Sequence, residues 1–165
     1  MNKSVLAVIL LFSSSSAFSI GVEINNSDEL LGCWKRVIYS DEIMKQMNQF
    51  NMYDPKNQKY QWFCFFENER FHVMTSNNDD EYTTRKLRDL FKNMPKLMTW
   101  KWVQNSVVMT EHKESKDSKA HWLITRIDKD MYIFDNNLIP KDSLFMAIPT
   151  QDLKSFVITR VLVRV

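Results

Sequence analysis

The residues of this 165-residue chain whose types suit chemistry are few: three histidines, His72, His112 and His121, two cysteines, Cys33 and Cys64, and the close acidic pairs Glu67/Glu69 and Asp79/Asp80. A hydrolase needs a nucleophile beside a base, a positioned pair of carboxylates, or a metal. Neither a nucleophile elbow nor a His-Glu-x-x-His run occurs. The acidic pairs fall in turn-forming stretches, where solvated charge is the ordinary outcome. With only two glycines, the chain also lacks glycine-rich phosphate loops and dinucleotide fingerprints. The expectation is a protein that is not an enzyme.

The histidines raise the question of a metal. If residues 106–113 and 119–128 form a hairpin, His112 lies nearly opposite His121, close enough to share an ion. His72 and Met74 share a strand face, and Met44, Met47 and Met52 gather in one segment; imidazole and thioether donors together suit copper. Against this, His112 sits near a polar hairpin tip, and methionines at helical spacing usually fill a core. No metal and no cofactor is expected, with His112 and His121 the nearest candidates.

The composition points more clearly to apolar binding. There are ten Met, eleven Phe, five Trp and five Tyr. A barrel lined by Trp62, Trp100, Trp102 and Trp122 could hold an apolar ligand, since methionine adapts its shape to irregular partners. Bulky side chains could equally fill the interior, and sequence leaves both outcomes open.

The N-terminus, Met1-Asn2-Lys3 followed by an apolar run over 5–12 and the serines of 13–19, matches a secretory signal peptide spanning 1–19, too short to cross a bilayer as a helix. A single domain over 20–165 is expected, exported to a periplasm or the extracellular space. The cysteine of Leu30-Leu31-Gly32-Cys33 lies some twenty residues past the apolar run, too far for lipoprotein acylation, so no membrane anchor is expected. In an oxidising compartment the even pair Cys33 and Cys64 should form a disulfide. The formal charge is +2, or +1 without Lys3, a balance that suggests neither nucleic acid nor an anionic membrane as partner.

The elements that must position these residues are mostly strands. Residues 31–40 alternate, with Trp34, Arg36 and Ile38 on one face and Cys33, Lys35, Val37 and Tyr39 on the other. Ser40 can cap a short helix carrying Ile43, Met44, Met47 and Phe50 at helical spacing. A hairpin of 60–66 with 70–75 follows, and both faces of its Trp62-Phe63-Cys64-Phe65-Phe66 run are apolar. A second helical patch places Leu87, Leu90, Phe91 and Met94 on one stripe, with Arg85, Lys86, Arg88, Asp89 and Lys92 on the wet face and Pro95 as its stop. That stripe is expected to dock on the sheet. Strands at 97–103, 106–113, 119–128, 131–135, 143–148 and 154–165 complete a meander.

The fold class expected is all-β with one or two helices: an antiparallel eight- or nine-stranded meander barrel, closure being the simplest way to remove exposed edges. Gly32-Cys33-Trp34, with late arginines at Arg160 and Arg164, resembles the Gly-x-Trp opening and closing arginine of the lipocalins. The resemblance implies that Trp34 plugs the barrel base, that Arg160 or Arg164 covers it, and that the segment from 40 to 59 overhangs the mouth. If Cys33 opposes Cys64 in neighbouring strands, an inward Trp34 makes Cys33 point outward, and the bridge becomes an exterior staple beneath the 87–94 helix.

Two functions follow as expectations. The first is a lipocalin-like protein holding a small apolar ligand, a lipid, fatty acid or haem-like molecule, beneath Met44, Met47 and Phe50. The second is a secreted or periplasmic protein-binding module of inhibitor or immunity type, with a filled barrel and an exposed aromatic or basic patch.

Overall fold

The computed structural model describes residues 21–40, 59–103, 106–133, 137–150 and 156–165. Within them the chain runs β1 (Val22–Glu23), a turn of 3-10 helix (Ser27–Leu30), β2 (Gly32–Arg36), β3 (Tyr60–Phe65), β4 (Phe71–Ser76), α1 (Thr84–Phe91), β5 (Met98–Val103), β6 (Ser106–Glu111), β7 (Ser118–Arg126), β8 (Met131–Ile133), β9 (Asn137–Ile139), β10 (Leu144–Pro149) and β11 (Phe156–Arg164). Eight of these strands form one antiparallel sheet in the order β4-β3-β2-β11-β10-β7-β6-β5. Each therefore lies beside its neighbours in the chain, and the series closes where β11 pairs with β2. At the remaining seam Arg70 bridges Thr99, and the Trp100 N–H donates to the Glu69 carbonyl at 3.0 Å. The result is a nearly closed meander barrel.

One expected meander strand behaves differently. Met131–Ile133 leaves the barrel and pairs with β9 as a separate two-stranded hairpin between β7 and β10, while β1 adds to the edge of β7. Neither shift was signalled by alternation, because a short apolar run is equally suited to a barrel wall and to a side hairpin.

The two-residue period of the strands sorts the side chains. Trp34, Phe63, Phe65, Phe71, Trp100, Trp122, Met146 and Leu162 meet in one buried cluster inside the barrel. Cys33, Trp62, Cys64, Phe66, Leu87 and Phe91 form a second cluster on the outer face, beneath α1. The double-sided apolarity of β3 follows from this: one face lines the interior and the other is covered by the helix.

α1 is capped at its start and then docked on the barrel. Thr83 caps the helix by accepting from the Lys86 N–H. Thr84 accepts from the Cys33 N–H at 3.1 Å and donates to the Val165 carbonyl at 2.7 Å, tying the helix start to β2 and to the end of β11. Leu87 and Phe91 then lie over the disulfide. The expected stripe is only half used: Leu90 and Met94, 47% and 50% exposed, stay in solvent. The short helix ends at Phe91, so Met94 lies past it, while Leu90, inside the helix, stays off the face that Leu87 and Phe91 bury.

Cys33 and Cys64 are directly opposed in the β2–β3 ladder and bonded, with Cα atoms 4.1 Å apart. The bridge is an exterior staple, as the alternation of Trp34 and Cys33 requires.

Candidate functional site

The base of the barrel is built around Trp34. Its indole N–H donates to the Leu30 carbonyl at 2.8 Å, and the Arg164 guanidinium lies over the ring at 4.5 Å from its centroid. Arg164 also donates to the carbonyls of Leu31 and Glu29, at 3.2 and 2.8 Å. Stacking of this kind lets a guanidinium cover apolar surface while its charge stays solvated. Of the two late arginines, then, Arg164 covers the plug and Arg160 does not.

Arg160 has a different place. It shares the inward face of Leu162, is only 6% exposed, and donates to the Thr159 carbonyl at 2.7 Å. Arg36, equally buried, shares the inward face of Trp34, pairs with Leu162 across the β11–β2 ladder, and donates to the Lys59 carbonyl at 2.6 Å. Gln61, two residues from Phe63 on β3, is buried on the same wall. Two guanidinium groups and an amide thus stand inside the barrel, above an aromatic floor of Phe63, Phe65, Phe71 and Trp100. Alternation along β2 already sets Arg36 on the face of Trp34: if the indole points in, so does the arginine two residues on.

The other expected ligand-lining residues divide. Trp100 and Trp122 belong to the inner cluster, and Trp102 packs against it half-buried. The Trp100 indole donates to the Phe66 carbonyl at 3.0 Å. Trp62 is fully buried on the outer face instead, edge-on to Tyr82 at 5.1 Å, so it does not line the interior. The physical reason is parity: Trp62 neighbours the inward Phe63 and must point the other way. Met44, Met47 and Phe50 lie outside the described residues.

The histidines do not converge. Register in the β6–β7 hairpin sets His121 against Val108 and Glu111 against Ser118. His112 therefore sits beyond the ladder, 3.1 Å from both Thr99 and Asp117, and does not face His121. Among the described residues, no group of three or more His, Cys, Asp and Glu side chains is placed to hold a metal. His72 and Met74 do share a face, the outer one, and both pack there. The His72 ring stacks on Phe91 at 4.7 Å, with the Arg70 guanidinium 3.3 Å from its Nε2. Burial, and secondarily the Arg70 charge, hold its pKa below the ordinary histidine value. Burial likewise pushes the Tyr39 hydroxyl well above the usual phenol range.

Compared with protein-family models, with curated proteins and with solved structures, the chain has no match. The barrel geometry is compatible with a lipocalin-like fold, and no helix among the described residues is long and apolar enough to cross a membrane.

Proposed function

We propose that this protein is an exported, lipocalin-like carrier or sensor that holds a small apolar ligand with an acidic head, such as a fatty acid, inside its barrel. The observation that carries this reading is the pair of buried arginines, Arg36 and Arg160, which stand with the Gln61 amide among aromatic and aliphatic side chains. The planar set of donors of a guanidinium matches a carboxylate held in two parallel hydrogen bonds. The aromatic floor would take the tail, and the Trp34–Arg164 plug would keep water from entering below. Export and removal of residues 1–19 belong to the same reading, and the disulfide is compatible with an oxidising compartment.

The test is a titration of the purified protein with palmitate and with the uncharged alcohol of equal chain length, followed by tryptophan fluorescence and native mass spectrometry. Palmitate is expected to bind at least about tenfold more tightly than the alcohol, and Arg36→Gln and Arg160→Gln to erase most of that preference in variants whose circular dichroism is unchanged. Absence of palmitate binding, or equal binding of acid and alcohol, would sink the proposal. A second reading, a protein-binding module with a filled barrel, draws on the side hairpin, where Tyr132 and Leu138 are cross-strand partners and both exposed. It predicts a blank titration together with loss of partner capture on Tyr132→Ser.

A further inference from the structure

The segment that leaves α1 combines exposed apolar side chains with concentrated positive charge. Leu90, Met94 and Leu97 are 47%, 50% and 58% exposed, and they account for three of the seven large exposed hydrophobics among the described residues. All three fall within eight consecutive positions. Residues 85–101 carry six Lys and Arg against the single acid Asp89, while the rest of the chain holds sixteen Lys and Arg against nineteen Asp and Glu. The small net charge of the whole therefore conceals a basic surface on an otherwise acidic protein.

Part of that charge is compensated locally. Arg88 pairs with Glu67 at 3.3 Å and Lys101 with Glu69 at 3.3 Å. Arg85, Lys86, Lys92 and Lys96 are exposed and have no carboxylate partner among the described residues. Lys96 donates to the Asn68 carbonyl and Lys86 lies over the Tyr82 ring, contacts with neutral groups that leave their charge available to an anionic surface.

We propose that the α1–β5 segment is a peripheral docking surface for anionic lipid bilayers, with Leu90, Met94 and Leu97 entering the headgroup–acyl boundary and the surrounding lysines and arginines contacting lipid phosphates. Apolar side chains held in water gain by burial at that boundary, and nearby cations are drawn to an anionic leaflet. The two forces arise from one short exposed segment here, since Lys92 and Lys96 are interspersed in the chain with Met94 and Leu97. α1 is held to the barrel through Thr84 and the Leu87–Phe91 contacts, so the apolar residues are presented on a rigid support. Docking of this kind is independent of what the barrel contains.

The experiment is co-sedimentation of the full-length protein with vesicles of phosphatidylcholine alone and of phosphatidylcholine with about one-third phosphatidylglycerol, at low and at physiological salt. Binding to the anionic vesicles is expected to exceed binding to neutral ones by about tenfold or more and to weaken with salt. Lys92→Glu with Lys96→Glu, and separately Leu90→Ser with Met94→Ser and Leu97→Ser, should each reduce it about tenfold or more. All five side chains are exposed, so the thermal midpoint should not move and serves as the check that the variants remain folded. Equal binding to both vesicle types, no binding to either, or unchanged binding by the variants would overturn the proposal. So would sedimentation velocity showing that the apolar patch is covered by a second copy of the chain.

Discussion

Arg160 and Arg164 lie four residues apart on one strand and face the same way, yet the barrel gives them opposite surroundings. Arg164, at the strand end, stacks on Trp34 and closes the base from the solvent side. Arg160, nearer the middle, is enclosed. The two-residue period makes their shared face legible in the sequence; their depth depends on where neighbouring strands begin and end. Gly32 belongs to the same corner. Its φ of +121° is open to glycine and costly for other residues, and an added Cβ would stand 3.4 Å from Arg164 Nη1. Replacing Arg164 by alanine is expected to cost about 0.5–1 kcal/mol, the range of an exposed cation–aromatic contact, and to red-shift tryptophan emission as the Trp34 ring meets water. Urea unfolding monitored by fluorescence measures both. An unchanged midpoint with unchanged emission would show that the guanidinium does not protect the indole.

Helix α1 shows how an element acquires a role that its own residues do not announce. The stripe Leu87, Leu90, Phe91 and Met94 reads as a docking face, but only Leu87 and Phe91 find the sheet: Met94 lies past the helix end, and Leu90 stays exposed beside the buried pair. The outer cluster that receives them holds the disulfide, whose loop closure is worth about 3–4 kcal/mol in the chain-entropy account. His72 contributes to the same packing through its stack on Phe91. The folded chain holds the His72 proton less tightly than the unfolded chain does. Its share of stability is therefore complete above the ordinary value of 6.5 and is lost as the pH falls through that value toward the folded-state pKa. Denaturation midpoints measured at about pH 7.5 and about pH 5.5 should fall on acidification, and His72→Phe should flatten part of that dependence. Identical pH slopes in the variant and the parent would mean that His72 does not couple to folding.

At the scale of the molecule, the barrel is fastened unequally around its circumference. β11 and β2 close it with a regular ladder, and β10 and β11 pair along most of their length. The β4–β5 seam rests on one bridge and the neighbouring Trp100–Glu69 hydrogen bond among the described residues. Local opening follows the weakest pairing, so amides on the seam edges of β4 and β5 should exchange with deuterium at least about tenfold faster than those of β10 and β11. Uniform protection around the barrel would contradict this. Much of the architecture could be read from residue order alone: the β3–β4 hairpin and the meander follow from alternation and chain adjacency, which are local properties, whereas Trp34 as a base plug is what the resemblance to the lipocalin opening implies, and the outward staple follows from the parity of Cys33 beside an inward Trp34. Other features needed the closed sheet. Trp62 fell outside the barrel, His112 slid past His121, β8 left the wall, and Arg36, Gln61 and Arg160 came together on one inner face, because register and strand depth arise from pairings between residues far apart in the chain. Alternation tells which neighbours share a face; only closure tells which face is inside and how far each residue lies from the rim.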